Sequence, residues 1–296
     1  MDIAQIITDR IIADLEQGVA PWVKPWKASR QSPTLGMAHN PTNGTVYRGI
    51  NQFWLTMMGS SSNAWMTYKQ ASAIGAQVRK GEKGTPIVFW SIGNKKHTND
   101  QGETESSKYV LLKHYTVFSV EQLDGYIVPT VPVEPTDEPV AFPSIQSVES
   151  VIDRLALTGG LHHGGDSAFY TPSRDAVTMP MRRAFKTDSD YCAMLLHEAI
   201  HATGHTSRLD RLTPARFASE GYAYEELVAE LGAAMLCARC GIDGQLQHSA
   251  YIGSWLRTLG NDKKFILTAA AHAQKAIDWI DAQTVGQIAE PIALAA

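Results

Sequence analysis

Two histidines and a glutamate in the second half of the chain have the spacing of a metal site. In the segment His197-Glu198-Ala199-Ile200-His201 the histidines are four residues apart. On a helix, residues four apart share a face, so both imidazoles can reach one cation. Glu198 follows the first histidine, where its carboxylate can reach a water on the cation without binding the cation itself. The pattern predicts metal-assisted hydrolysis, with His197 and His201 as metal ligands and Glu198 as the catalytic base.

A catalytic zinc usually has three protein ligands and one open position, so a third ligand is needed. In the metzincin pattern it is a histidine six residues after the second, but Ser207 occupies that position and His205 comes two residues too early. The gluzincin arrangement takes a carboxylate from a second helix instead. Such carboxylates occur about 25 residues downstream, in the acidic run of Glu225, Glu226 and Glu230.

We interpret Glu226 as the third ligand and Glu230, one turn later, as the residue that orients a ligand histidine through its far ring nitrogen. Glu225 and Glu230 remain alternatives for the third ligand. An acidic run can also be the solvated start of a helix, but Leu227 and Val228 indicate a buried helix, where a carboxylate needs a partner. Two imidazoles and one carboxylate suit Zn²⁺, and they also accept Mn²⁺ or another divalent transition metal.

The substrate-binding residues are less sharply indicated. The segment Ala176-Val177-Thr178-Met179 is a short strand by composition, and a strand edge can hold an extended peptide. Tyr170, His205 and Tyr224 are candidates for stabilising an oxyanion.

Two longer helices must position the metal site. The pattern predicts one over 189–203, which ends at Gly204, and a second over 220–240. Further helices are expected over 147–157 and 260–282, with short strands over 168–170 and 176–179. Helices beside a small sheet make this half an α+β domain.

The first half also has the pattern of an α+β domain. Helices are expected over 3–15, 50–58 and 67–74, and strands over 85–91 and 109–119, joined by a polar hairpin tip over 93–107. Five prolines between 128 and 143 predict an extended linker. We therefore expect two domains, 1–128 and 144–296, separated by a Pro-rich linker over 129–143.

Composition limits the class of protein. An apolar fraction of 44% and a charged fraction of 19% are typical of a globular protein in water. No window approaches the roughly 20 apolar residues of a membrane span, so we expect no membrane partner. Asp2 and Asp9 replace the basic region of a signal peptide, and three cysteines are too few for a disulfide framework. These features favour the cytoplasm.

Several longer motifs resemble a known family. In the first half they are Asn40-Pro41-Thr42-Asn43-Gly44, Tyr47-Arg48-Gly49-Ile50-Asn51, Trp65-Met66-Thr67-Tyr68-Lys69-Gln70-Ala71 and Val78-Arg79-Lys80-Gly81-Glu82-Lys83-Gly84. In the second half they are Phe169-Tyr170, 175–180, and 197–208 with Leu209 and Arg211. This combination is similar to the ArdC-type antirestriction proteins of conjugative plasmids and to the N-terminal part of plasmid-transfer primases. The resemblance implies an N-terminal domain that binds single-stranded DNA, a C-terminal zincin metalloprotease-like domain, and protection of incoming plasmid DNA from restriction.

The residues give independent support for single-stranded DNA as a partner. The net charge of -4 hides an asymmetry: through residue 128 there are 13 Lys and Arg against 10 Asp and Glu, and afterwards 13 against 20. Proteins that bind single strands combine cationic side chains with aromatic faces on which bases stack. The candidates for DNA binding in the first half are Trp22, Lys24, Trp26, Arg48, Asn51, Trp65, Tyr68, Lys69, Arg79, Lys80 and Lys83. Some of the aromatic residues are expected in the core.

Three functional hypotheses remain open at this point. The first is a DNA-binding antirestriction protein with a metal-dependent peptidase site. The second is a DNA-binding protein whose metal is purely structural. The third is a peptidase that acts on a host restriction protein or a plasmid-transfer protein.

Overall fold

The computed structural model describes residues 2–18, 37–58, 62–98, 104–127, 145–212, 220–240, 242, 252–262 and 264–285. The predicted linker over 129–143 lies outside these ranges, as do the DNA-binding candidates Trp22, Lys24 and Trp26. The architecture is the expected α+β combination of an N-terminal and a C-terminal part.

The N-terminal part is built around a long β-hairpin. Its elements are α1 (Ile3–Glu16), α2 (Ile50–Met57), β1 (Trp65–Thr67), α3 (Tyr68–Ala73), β2 (Gln77–Val78), β3 (Thr85–Thr98), β4 (Thr104–Ser119) and β5 (Leu123–Asp124). Strands β3 and β4 pair antiparallel from Thr85↔Val117 to Thr98↔Thr104. Strand β1 adds to the other side of β4, which gives the order β1-β4-β3. The predicted strands are therefore present, and both extend further towards the hairpin tip than 91 and 109.

Helix α2 covers the outer edge of β3. The side-chain amide of Asn51 donates from Nδ2 to the carbonyl of Val88 at 2.6 Å and accepts from the backbone N–H of Val88 at 2.9 Å. Trp54 donates from Nε1 to the carbonyl of Pro86 at 3.0 Å. An edge strand leaves backbone groups unpaired, and these side chains satisfy them in place of a further strand.

The C-terminal part combines a three-stranded sheet with five helices among its described residues. Its elements are α4 (Ile145–Arg154), β6 (Gly160–His163), β7 (Phe169–Thr171), β8 (Ala176–Met179), α5 (Asp188–Thr203), α6 (Glu220–Cys240), α7 (Ile252–Asn261) and α8 (Phe265–Val285). The helix expected over 260–282 corresponds to α8, whereas α7, which precedes it, was not predicted from the sequence.

Strand β8 is the central strand of this sheet. The order is β6-β8-β7, with β6 parallel and β7 antiparallel to β8. Both edges of β8 are therefore paired within the sheet. The expectation that β8 holds an extended peptide by edge pairing is wrong, because only β6 and β7 present an outer edge.

One hydrophobic core runs through both parts of the chain. Ile7 and Ile11 of α1 and Phe53 of α2 belong to the same buried cluster as Trp255 of α7 and Ala273 of α8. Helix α1 contacts α7, and α2 contacts both α6 and α8. Helices α1 and α2 of the N-terminal part thus pack into the same core as the helices of the C-terminal part.

Polar contacts at the start of α2 reinforce this junction. Arg48 donates to Asp278 of α8 at 2.6 Å, and the backbone N–H of Gly49 donates to the side chain of Gln274 at 2.7 Å. None of the helices in the described ranges combines the length and the apolar character that crossing a membrane requires.

Candidate metal centre

Helix α5 presents both motif histidines on its buried face. The helix is capped by Thr187, whose hydroxyl accepts from the backbone N–H of Asp190 at 3.1 Å. It ends after Thr203 at Gly204, whose N–H donates to the carbonyl of His201 at 2.8 Å. A Cβ at Gly204 would lie 2.9 Å from Cγ of Leu212. The glycine therefore lets the chain turn sharply back over the end of the helix.

The side chains of His197, His201 and Glu226 converge between α5 and α6. The two Nε2 atoms are 3.1 Å apart, and each lies 3.6 Å from an oxygen of Glu226. One donor atom from each of the three residues lies within 4.8 Å of the other two. Two imidazole nitrogens and a carboxylate oxygen aimed at one point in a buried place are a donor set that a divalent metal ion fits.

Glu225, the residue before Glu226, is placed to orient His201. Nδ1 of His201 lies 3.1 Å from Oε1 of Glu225. A proton on Nδ1 can donate to this carboxylate, which leaves the lone pair of Nε2 for a metal. Arg211 holds the same carboxylate from the other side, with Nε at 2.8 Å and Nη2 at 2.7 Å from its two oxygens.

The sequence pattern assigned the contact with a ligand histidine to Glu230. In the structure, Glu225 makes such a contact with His201. Glu230 is fully buried on the same helix, and its role in orienting a ligand stays a prediction. Successive side chains of α6 point about 100° apart around the helix axis. The rotation of α6 about its own axis therefore decides which of Glu225, Glu226 and Glu230 contacts which histidine. The spacing of these glutamates in the sequence does not determine that rotation.

Ionisable side chains of opposite charge lie close together at this centre. Burial disfavours the ionised carboxyl of Glu226, but the hydrogen bond and charge of His197 and the charge of His201 outweigh it and lower the pKa of Glu226 to about 2. Burial also disfavours the protonated ring of His201, but Glu225 and Glu226 outweigh it and raise its pKa to about 9. The surroundings therefore stabilise positive charge between the two helices, as a cation site requires.

Glu198 lies beside this centre and is buried, with 4% of its surface exposed. Its negative charge contributes to the raised pKa of His201. The three candidates for an oxyanion contact already have partners: Tyr170 donates to Asp175 at 2.7 Å, Tyr224 meets Nδ1 of His272 at 3.0 Å, and His205 meets Ser207 at 2.8 Å.

A buried ion pair that the sequence analysis did not single out fastens the end of α5 to the sheet. Arg208 pairs with Asp175, and its Nε donates to the carbonyl of Ala202 at 2.8 Å. Asp175 also accepts from the hydroxyl of Tyr170 and from Thr158 at 3.1 Å. The sequence offered one signal for this ion pair, since Asp175 and Arg208 both lie in the motifs that resemble the family. Their pairing across 33 positions depends on the fold.

The eight predicted DNA-binding residues that the structure describes fall into two groups. Trp65 is buried with 3% exposure, Asn51 is bound to β3, Arg48 is paired with Asp278, and Arg79 is paired with Glu82. Each of these four residues therefore has a structural contact in the fold that does not require DNA. Four other candidates are exposed: Tyr68, Lys69, Lys80 and Lys83.

Comparisons with known proteins agree with this geometry. Residues 147–272 match the family described as a zincin-like metallopeptidase, and residues 1–118 match the N-terminal domain of anti-restriction factor ArdC. The chain is 39% identical over 300 residues to DNA primase TraC of Escherichia coli, an alignment that covers 97% of this chain and 20% of TraC. The chain thus spans about a fifth of the length of that primase.

Two solved structures match over nearly the full length of both chains. The metal-free crystal structure of antirestriction protein ArdC from the R388 plasmid has a TM-score of 0.74 and 37% identity, and it covers 97% of this chain and 99% of that chain. The Mn(II)-bound structure of the same protein has a TM-score of 0.75 and 35% identity, with 96% and 98% covered. Identity at this level over both lengths shows that the chain belongs to the ArdC antirestriction family.

Proposed function

We propose that this protein binds single-stranded DNA during plasmid conjugation, counters restriction of that DNA, and hydrolyses a peptide bond at the centre between α5 and α6. The observation that carries the proposal is the convergence of His197, His201 and Glu226 with Glu198 beside them. A host restriction protein or a plasmid-transfer protein is the proposed class of peptide substrate.

The residues of the site divide the work of hydrolysis. His197, His201 and Glu226 would hold a divalent ion, Zn²⁺ or Mn²⁺, and the ion would supply Lewis acidity for activating water and polarising a carbonyl. Glu198 accepts the proton of the attacking water and returns it to the leaving amine. Glu225 and Arg211 keep the ring of His201 turned towards the ion.

A structural metal without hydrolysis is the second candidate. The observation in its favour is the burial of the centre, since His197 is 2% exposed and Glu198 is 4% exposed. An ion that only ties α5 to α6 needs no access for substrate, whereas a peptidase needs an open approach to the general base.

Replacing Glu198 separates the two candidates. We expect Glu198→Gln to keep the metal, measured by elemental analysis of purified protein, and to abolish cleavage of labelled casein assayed with and without a single-stranded oligonucleotide. Asp166→Asn, an exposed acidic residue of the same half, is the matched control and should behave as the unaltered chain. Conjugation into a restricting recipient gives the biological readout: full protection by Glu198→Gln would show that protection does not need hydrolysis and would favour DNA binding alone, and absence of cleavage by the unaltered chain would overturn the peptidase proposal.

The DNA-binding proposal is tested apart from the metal site. It is supported by the exposed Lys69, Lys80 and Lys83 and by the excess of positive charge in the first half of the chain. Because phosphate contacts release counterions, affinity for a single-stranded oligonucleotide should fall steeply with salt. Lys69→Ala combined with Lys80→Ala should weaken binding at low salt. Absence of binding by the unaltered chain, or no change in the double variant, would contradict the proposal.

A further inference from the structure

Two exposed aromatic side chains lie side by side on the N-terminal sheet. In the described part of the chain, four aromatic residues rank among the exposed large hydrophobic side chains: Tyr68 at 50%, Phe89 at 51%, Tyr115 at 46% and Phe169 at 48%. Phe89 lies on β3 and Tyr115 on β4, whereas Tyr68 begins α3 and Phe169 lies on β7.

The register of the hairpin puts Phe89 and Tyr115 on the same face. Ile87 pairs with Tyr115 and Phe89 pairs with Lys113, so these side chains point to one side of the sheet. The rings of Phe89 and Tyr115 are diagonal neighbours, with centroids 5.8 Å apart and planes inclined by 78°. The same face is buried one step back, at Ile87 and Val117. The face therefore passes from core to exposed aromatic surface within a few residues.

Lys113 adds a positive charge to this face. It pairs with Phe89 across the hairpin and is exposed. Aromatic faces next to a lysine are the combination that unpaired bases and their phosphates recognise. Helix α3, which begins at the exposed Tyr68, packs on the other face of the sheet, where Ala71 shares a cluster with Met66 and Phe118.

We propose that Phe89 and Tyr115 form a stacking surface for unpaired bases of single-stranded DNA, with Lys113 meeting the phosphates. This inference rests on the proposed DNA-binding function and assigns that function to one surface. Lys113 favours a polyanion over a protein partner, since an apolar docking face for a protein would be depleted of lysine.

The experiment measures fluorescence anisotropy of a labelled oligothymidylate at low ionic strength. The double variant Phe89→Leu with Tyr115→Leu keeps apolar bulk and removes both rings, and it should bind at least about tenfold more weakly. The exchange variant Phe89→Tyr with Tyr115→Phe keeps both rings and should bind as the unaltered chain does. Phe169→Leu, an equally exposed phenylalanine on β7, should also leave affinity unchanged.

Salt dependence distinguishes stacking from phosphate contact. Loss of the two rings should leave the slope of log affinity against log salt unchanged, whereas Lys113→Ala should reduce it by about 0.7. Unaltered affinity in the double leucine variant, with binding by the parent chain intact, would overturn the stacking surface and leave the DNA function standing. Absence of binding by the parent chain would overturn the DNA function itself and this surface with it. Equal metal content and circular dichroism in all variants ensure that folding is not the cause.

Discussion

Nδ1 of His201 lies 3.1 Å from Oε1 of Glu225, and Arg211 grips the same carboxylate from the opposite side. Arg211 also donates from Nη2 to the carbonyl of Ile200 at 2.9 Å. The loop after α5 is thus tied to α6 and to the end of α5 through one guanidinium. This chain of contacts fixes the orientation of a metal ligand from a residue ten positions away in the sequence.

Removing the charge of Glu225 should weaken metal binding. In Glu225→Gln the side chain can no longer attract the Nδ1 proton of His201 as a carboxylate does, and Arg211 loses its partner. We expect the affinity for Zn²⁺ and Mn²⁺ to fall by roughly 10- to 100-fold, measured by competition with a chelator of known affinity. Glu230→Gln on the same helix is the comparison. A large loss in Glu230→Gln with none in Glu225→Gln would return the orienting role to Glu230.

Helix periodicity in the sequence predicts only part of the metal centre. The spacing of His197 and His201 determines that they share a face of α5, because both lie on one helix. Glu226 required the further assumption that a second helix packs against the first. The choice between Glu225 and Glu230 depends on the rotation and depth of α6 against α5, which many distant core contacts set together.

The pairing of Asp175 with Arg208 should make stability depend on acid pH. Burial disfavours the ionised carboxyl of Asp175, but the hydrogen bonds from Tyr170 and Thr158 and the charge of Arg208 outweigh it and lower its pKa below the ordinary 3.8. A group whose pKa is lower in the folded state stabilises fully above its unfolded pKa and loses that contribution as the pH falls. The contribution is therefore complete near neutrality and is lost progressively as the pH falls below about 3.8 towards the lowered pKa of the folded state.

Asp175→Asn tests this dependence with little change in backbone strain. Asp175 has φ of 47°, a conformation that asparagine adopts as readily as aspartate. We expect the variant to lose about 3 kcal/mol of unfolding free energy near neutral pH, with a difference from the parent that shrinks below pH 4 or so. Urea unfolding in the presence of a chelator measures it without interference from metal release. A difference that stays constant through the acid range would contradict the assignment, and Asp166→Asn should show no difference at any pH.

The shared core predicts that both halves unfold together. Ile7 of α1 is fully buried in the cluster that contains Trp255 of α7. Ile7→Ala should cost about 2–5 kcal/mol, and the metal should leave the protein in the same, earlier transition as the loss of tertiary structure. Near-ultraviolet circular dichroism and metal release during heating check this coincidence. Ile127→Ala, at a position that is 85% exposed, is the control.

Metal release at the unaltered temperature in Ile7→Ala, after a separate earlier transition, would indicate two independent halves.

The proline-rich segment of the sequence favours such independence, since a linker normally separates domains that have their own cores. The apolar stripe of α1 (Ile3, Ile7, Ile11 and Leu15) predicts a buried helix face. It does not say that the face packs on α7, more than 200 positions later. Pairings over such distances depend on the complete fold, which local patterns do not encode.

Close packing between α5 and α6 gives the last prediction. Gly232 lies on α6 where a Cβ would come within 2.8 Å of Cδ1 and Cγ1 of Ile200 on α5. Carbon atoms in contact prefer roughly 3.5–4.0 Å, and Ile200 is fully buried and cannot move aside easily. Alanine at this position must push the two helices apart, and Glu226 on α6 moves away from the histidines on α5.

Gly232→Ala should therefore lose about 1–3 kcal/mol of stability, although alanine is worth about 1 kcal/mol more than glycine in a helix. Its metal affinity should fall as well. Gly253→Ala on α7, where an added Cβ meets only Arg257 at 3.9 Å, should gain stability and keep the metal. Ile200→Ala removes the side chain that the new methyl group meets, so the double variant should recover part of the metal affinity lost in Gly232→Ala. Strictly additive effects of the two substitutions on stability and metal affinity would show that the helices are not in contact here.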